Sequence, residues 1–374
     1  MPKIEVTLIF RVQIRKTGLT RDYLRYRIDE LVNRAIEIRA LEPNTMVMAS
    51  IIYEKGAPDV FRWEAIDVPD PAPGEVRIKH SAIGVNYADT YHRRGMKHVI
   101  PLPELPLVLG LEGVGQVLEI GAGVTEFAVG DKVAYCKPPV GSYAEERNYP
   151  AETLVGVPEG VDDIALAGLM MSGLTAQMLL KQTYQVGEGD TVLIHAAAGG
   201  MGFVLCPWAK HLGATVIGTV GSAAKAEIAM GLGCDHIINY NNENFSTRVR
   251  EITDGKGCDV VYESIGKTTL KQSLASLRPM GVCAAYGHAS GEPDPIDIIS
   301  DLGTPGALFI TRPGLHWYLR DRAKLLIAAD DLFAALSAGI INKTVGSTYP
   351  LNDVAEAHRA IEGRQTTGAT VLIP

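Results

Sequence analysis

No apolar run in the 374-residue chain reaches the roughly 20 residues that span a bilayer, and no short apolar stretch leads into a small-residue cleavage site. A cytoplasmic protein is expected. Cysteine is sparse: Cys136, Cys206, Cys234, Cys258 and Cys283 are odd in number, widely spaced and contain no C-x-x-C pair. That pattern fits a reducing compartment better than a disulfide framework. Basic residues are outnumbered, 35 Lys+Arg against 43 Asp+Glu, and the resulting formal charge of −8 argues against a general nucleic-acid binder. With 47% hydrophobic and 21% charged residues, the composition also excludes collagen, coiled coil and wholesale disorder. At roughly 150 residues per domain, the length allows two to three domains.

The charge is unevenly placed. Residues 1–45 carry nine Lys+Arg against six Asp+Glu, which leaves a net −11 on the rest. Within this foreign segment Leu24, Ile28, Leu31, Val32 and Ile36 fall at helical spacing, so one amphipathic helix is expected. Organelle transit peptides avoid acids, which favours a translated upstream leader or a loosely ordered appendage. From Met46 the pattern is strand-like and turn-rich to about Leu154, as in a mostly antiparallel β domain. Beyond Leu166 short apolar runs alternate with helical stretches: TVLIHAA, ATVIGTV, HIINY, CDVVYESIG and GVCAAYG. Five such runs joined by helices predict a doubly wound parallel sheet. ALFITRP, a helix from about Arg320 to Ala338, and ATVLIP break the alternation and are expected to return to the first domain.

The first run of the α/β series ends in HAAAGGMGFVL. Read as A-x-x-G-x-x-G, it puts Ala196, Gly199 and Gly202, with Gly200 and Met201 between them, at a strand-to-helix turn. A dinucleotide fold needs small residues there for a tight turn, close approach to the pyrophosphate and helix-to-strand packing. The helix that follows offers free N–H groups to phosphate. An NAD site usually carries Asp or Glu about 20 residues further on, to hold the ribose 2′-hydroxyl. Here nothing acidic stands between Thr219 and Lys225; Ser222 and Lys225 occupy that place and suit a 2′-phosphate, so NADPH is the expected cofactor. Lys225 as a solvated helix lysine is the plainer alternative. Tyr240 could lie by the same phosphate or be an ordinary strand tyrosine.

These residues, with NYADTYHRRG, GLEGVGQV, VGSYAEE, FITRP and the final GRQTTGATVLIP, resemble the NADPH-dependent quinone reductases of the zeta-crystallin-like branch of the medium-chain dehydrogenase/reductase superfamily. The resemblance covers about residues 47–374. It implies an α/β protein in which a GroES-like catalytic domain (46–170 and 312–374) carries an inserted Rossmann domain (171–311). It further implies a cleft between the two, a homodimer along the Rossmann sheet edge, and flavin-free hydride transfer from NADPH to quinones. By the same resemblance Tyr286, Gly287 and His288 lie beneath the nicotinamide and its ribose, and Arg364 reaches the cofactor from the C-terminal segment. Thr311, Arg312 and Pro313 mark the crossing between domains. Glu263 is read as a polar residue at a strand end rather than a base.

Zinc alcohol dehydrogenases share this fold, but a catalytic zinc needs three protein ligands. Where the zinc branch has His in the segment matching GLEGVG, this chain has Leu111; the stretch VNYADT holds no cysteine, and the four-cysteine lobe is missing. Glu112 alone is too few, and Cys136 with His92 or His98 follows no zinc spacing, so Cys136 is read as a small hydrophobe and the histidines as solvated. Without a Lewis acid, unactivated ketones are poor acceptors, whereas quinones and conjugated enones carry their own electron sink. Candidate donors to the acceptor oxygen lie in N-Y-A-D-T-Y: Asn86, which the resemblance brings near the nicotinamide ribose or substrate, and Tyr91, whose alternative is packing inside the β domain. Relatives often carry a second tyrosine where this chain has Met96-Lys97. The expected activity is quinone reduction; a 2-alkenal or enone reductase on the same scaffold is the alternative, and a crystallin-type or AU-rich RNA-binding role a minor one.

Overall fold

A computed structural model of the chain describes residues 45–96, 103–341, 345–363 and 366–374. The helix expected within residues 21–41, Lys97, His98 and Arg364 lie outside the described residues.

The first part is β-rich. Strands β1 (Thr45–Ile52), β2 (Phe61–Val68) and β4 (Leu107–Val108) form a small sheet. A larger sheet has the order β15-β16-β3-β5-β6-β8, built from β3 (Glu75–Val85), β5 (Gly113–Ile120), β6 (Lys132–Tyr135), β8 (Val155–Gly156), β15 (Val345–Pro350) and β16 (Ala369–Ile373), with β7 (Glu146–Pro150) on β3. The C-terminal strands therefore join the sheet of the first part, as β16 pairs antiparallel with β3 through Leu372 and Ile83. Helix α1 (Tyr87–Arg94) follows β3 directly. The carboxylate of Asp89 accepts the Asn86 N–H at 2.8 Å and so caps its first turn.

The second part is a six-stranded parallel sheet of order β11-β10-β9-β12-β13-β14. Its strands are β9 (Thr191–Ile194), β10 (Thr215–Val220), β11 (His236–Asn239), β12 (Cys258–Glu263), β13 (Leu277–Ala285) and β14 (Phe309–Thr311). Relative to chain order this is 3-2-1-4-5-6, the Rossmann arrangement, which opens a crevice where the order reverses between β9 and β12. Val192, Leu193, Ile194, Val216, Ile217, Val260 and Val261 are buried, as continuous apolar strands covered on both faces must be. Helix α2 (Met170–Gln177) precedes the sheet, and α3 (Gly202–His211), α4 (Ala223–Gly231), α5 (Phe245–Ile252) and α6 (Leu270–Ala275) join its strands.

Two expectations need correcting. Phe309–Thr311 does not return to the first part but pairs parallel with β13 as a sixth strand. The link before it contains only the six-residue helical turn Ile298–Gly303, too short to show helical periodicity in the sequence. His92 is not solvated: it is 1% exposed, and burial pushes its imidazole down to about 4. Its helix α1 buries residues 89 to 93, and Arg93 pairs at 2.6 Å with Glu362 at the end of a later helix, Val354–Glu362.

Helix α7 (Arg322–Ser337) packs against α2. A Cβ on Gly173 would lie 2.4 Å from Leu332, so the glycine allows this close approach. The packing fixes α2 beneath the crevice and delivers Met171, Ser172 and Thr175 to its wall.

Candidate active site

A cleft of about 670 Å³ runs along the carboxyl ends of β9, β10, β12 and β13 and faces α1 and α2. Its two ends differ in chemistry.

At one end is the glycine loop. Ala196 has a left-handed backbone (φ 52), and its carbonyl accepts the Gly199 N–H at 2.8 Å. A Cβ on Gly202 would sit 2.1 Å from the Ala197 carbonyl, so α3 can approach β9 here only through glycine. Gly199 also bridges to Gly368, bringing the C-terminal segment against the loop. Ala196, Gly199, Gly200 and Met201 all line the cleft. Beneath them His195, 2% exposed, joins Thr219 at 2.9 Å and Ser273 at 2.8 Å, which ties the ends of β9 and β10 to α6. Glu263 accepts from the Ile265 and Gly266 N–H groups and from the Thr269 hydroxyl, so it shapes the loop after β12 as a fully buried acceptor.

Lys225 and Tyr240 line this same end. A Cβ on Gly221 would meet the Tyr240 hydroxyl at 2.5 Å, so the glycine makes room for the phenol. Ser222 does not line the cleft: its hydroxyl caps α4 by accepting the Lys225 N–H at 3.3 Å. Glu243, not singled out from the sequence, also lines this end, with one oxygen accepting the Asn239 N–H and the other 3.9 Å from Arg248.

At the other end Asn86, Tyr87, Tyr91, Glu112, Lys137, Tyr286, Gly287 and Arg312 line the wall. The Asn86 amide donates to Glu112 Oε2 at 2.6 Å, and the Met171 N–H donates to Oε1 at 2.8 Å. Gly84 permits this, since a Cβ there would fall 2.3 Å from Glu112 Oε2. Glu112 is 1% exposed, and burial pushes its carboxyl up to about 8 against both donors. Tyr91 is 5% exposed, its hydroxyl accepts the His288 N–H at 3.2 Å, and burial pushes the phenol up to about 12. The His288 ring stacks on Tyr91 with centroids 4.2 Å apart, so its side chain backs Tyr91 and does not line the cleft. Gly287 lets the strand ends meet: a Cβ there would sit 2.5 Å from the Ser264 carbonyl.

Lys137 and the Glu112–Asn86 pair are further residues of this end. An isolated lysine after a strand carries no local signal, and the pair depends on a contact between distant segments.

Zinc does not fit this wall. Leu111 offers no donor atom, Glu112 is engaged by two N–H donors, and burial keeps the Cys136 thiol protonated. Among the described residues no group of three His, Cys, Asp or Glu is placed to hold a metal ion.

Two family models match: an alcohol dehydrogenase GroES-like domain over residues 72–186 and a zinc-binding dehydrogenase over residues 200–305. A 2-haloacrylate reductase of a Burkholderia species is 55% identical over 88% of this chain and 99% of its own. A quinone oxidoreductase of Pseudomonas aeruginosa is 43% identical over 85% and 97%. The crystal structure of Escherichia coli quinone oxidoreductase complexed with NADPH superimposes with a TM-score of 0.84 at 37% identity, covering 87% of this chain and 100% of that one. With its donor-free Leu111 and its two-part fold, the chain belongs to the zinc-independent quinone reductase branch of the medium-chain dehydrogenase/reductase superfamily.

Proposed function

We propose that the protein is an NADPH:quinone oxidoreductase working without metal or flavin. The carrying observation is the single cleft that joins the glycine loop and Lys225 at one end to Asn86, Glu112 and Tyr91 at the other. The dinucleotide fits the residues present: Gly199 and Gly200 line the cleft without a side chain, Gly202 lets α3 pack on β9 beside them, and no carboxylate follows β10 before Lys225 to repel a 2′-phosphate. Gly199, Gly200 and Gly202 would hold the pyrophosphate, Lys225 with Tyr240 and Arg364 the 2′-phosphate, and Tyr286 with Gly287 the nicotinamide side.

NADPH supplies a hydride when bound. The chain orients the acceptor, keeps bulk water from it, and donates hydrogen bonds to the oxygen that gains charge. Asn86, held by Glu112, and Tyr91 take that role, and solvent delivers the final proton. The Burkholderia relative favours a second reading, reduction of a conjugated carbon–carbon double bond in the same site. NADPH oxidation against a quinone panel and an enal panel decides: turnover with enals alone would replace the first reading with the second.

The division into 46–170 with 312–374 and 171–311 belongs to this reading, as does a cytoplasmic homodimer. Among the described residues no helix is long and apolar enough to cross a membrane. Support for the dimer comes from exposed apolar residues on the edge strand β14 and the segments next to it: Phe309 on β14, Ile298 and Ile299 in the helical turn before it, and Met280 on the neighbouring β13. Sedimentation of Phe309→Glu as a monomer would support it, and a monomeric parent protein would remove it.

A further inference from the structure

Lys137 lies in the wall of the cleft yet is 7% exposed. Its ammonium donates to the Leu319 carbonyl at 2.6 Å, and its own carbonyl is fixed by the Tyr149 hydroxyl at 2.6 Å. An ammonium has three N–H donors, and burial of a charge is costly unless an opposite charge or further hydrogen bonds compensate it. Among the described residues no carboxylate lies within ion-pair distance; Glu152 and Asp321 act on it from further away, and burial lowers its pKa.

Beyond those two distant carboxylates, the described groups of the cleft wall beside Lys137 supply no opposing charge. His316, also in the cleft wall, is pushed down by burial and by Lys137 itself, so it is neutral at pH 7. The Cys136 thiol is held protonated by burial. Glu112, raised to about 8, is the carboxyl lining this end, and Glu243 lies at the opposite end. Arg312, with its guanidinium on the Ala285 carbonyl at 2.8 Å, adds a second cation to the wall. A neutral quinone leaves Lys137 uncompensated.

We propose that Lys137 anchors a carboxylate on the acceptor, so that the cleft takes an α,β-unsaturated carboxylate in preference to a neutral molecule of the same shape. This rests on the NADPH-dependent reduction proposed above. The acceptor gains hydride at its β-carbon, the π pair moves onto the α-carbon and carboxylate, and water supplies the proton that completes the saturated acid. The two electrons come from NADPH. Negative charge thus grows on the carboxylate beside Lys137, which makes the contact stronger as the reaction proceeds.

The test uses the full chain with NADPH and three acceptors: 2-chloroacrylate, its methyl ester and 1,4-benzoquinone. Unaltered protein should favour the acid over the ester by at least about tenfold, the scale of one charge-assisted contact. In Lys137→Met, kcat/KM for the acid should fall about a hundredfold, at least about tenfold more than for benzoquinone, and Lys137→Arg should recover part of the loss. Equal losses for all three acceptors, or an unchanged value for the acid, overturn the proposal. Should Lys137→Met not fold, inhibition of the unaltered protein decides: 2-chloropropionate should compete with benzoquinone and 2-chloropropionamide should not, and equal inhibition by both counts against an anchor. Absence of turnover with every acceptor defeats the underlying function; a melting-temperature rise with 2-chloropropionate in the unaltered protein, lost in Lys137→Met and kept in part in Lys137→Arg, still reads the anchor separately.

Discussion

The side-chain amide of Asn86 donates to Glu112 Oε2 at 2.6 Å, and this contact joins the start of α1 to the loop before β5 at the acceptor end of the cleft. Glu112 takes the Met171 N–H on its other oxygen, so one buried carboxyl fixes both an acceptor-facing residue and α2.

Glu112→Ala removes both accepting oxygens. The Asn86 amide and the Met171 N–H then lose their shared acceptor. A buried group left unsatisfied costs about 1–3 kcal/mol. Thermal denaturation should show that loss, and kcat should fall by roughly tenfold while NADPH affinity stays nearly constant, because Asn86 is displaced at the acceptor end alone. An unchanged kcat with lowered stability would make the pair purely structural.

Tyr91→Phe separates the two roles open to Tyr91. The phenol oxygen accepts the buried His288 N–H, so its removal should destabilise the fold by about 1–3 kcal/mol. As a donor to the acceptor oxygen, Tyr91 should also be worth roughly ten- to a hundredfold in kcat, with KM little changed. A loss of stability with kcat within about threefold would leave only the packing role.

How much of this was legible in the sequence depended on distance along the chain. The glycine loop is a local pattern: Ala196 to Gly202 carries its own steric logic, and Gly202 is where a Cβ would collide with Ala197. Continuous apolar strands likewise declare a sheet buried on both faces. Other features needed tertiary pairing. Nothing near Glu112 announces Asn86, nothing near Lys137 announces Leu319, and the bridge between Gly199 and Gly368 joins segments far apart in the chain. The residues around Ser222 suggest a phosphate contact, whereas its local geometry makes it a helix cap, and His92 is polar in type yet buried by the packing of α1.

Lys225→Ala tests the phosphate end. A charge-assisted contact to a 2′-phosphate is worth about 1.5–3 kcal/mol, so the NADPH dissociation constant should rise by roughly ten- to a hundredfold while that for NADH stays flat. Fluorescence titration with both nucleotides measures the pair. Equal weakening of the two would assign Lys225 to the shared part of the dinucleotide or to the fold.

Stability against pH tests the buried groups together. Burial lowers His80 and His92 to about 4 and His358 to about 3, all from 6.5. Between those values the unfolded chain binds more protons, so each histidine adds about 1.4 kcal/mol of stability per pH unit as pH rises, and that stability is lost on acidification. Asp89 and Glu112 act in the opposite sense. Burial raises them to about 7 and about 8, so the folded chain holds their protons longer and stability drops as pH climbs from about 4.5 through those values. From about pH 4.5 to 6.5 three rising contributions outweigh two falling ones. Above about pH 6.5 the histidine gain ends, and from about 7 to 8 Glu112 continues to destabilise. Urea denaturation should therefore find greatest stability near about pH 6.5, with the steepest loss just above it, up to about pH 7, where Asp89 and Glu112 act without a histidine gain. Glu112→Gln should flatten the alkaline decline and steepen the acid limb between about pH 4.5 and 6.5; midpoints that run parallel to those of the unaltered protein between pH 6.5 and 8 would mean that Glu112 is already ionised, stabilised by Asn86 and the Met171 N–H more than burial penalises it.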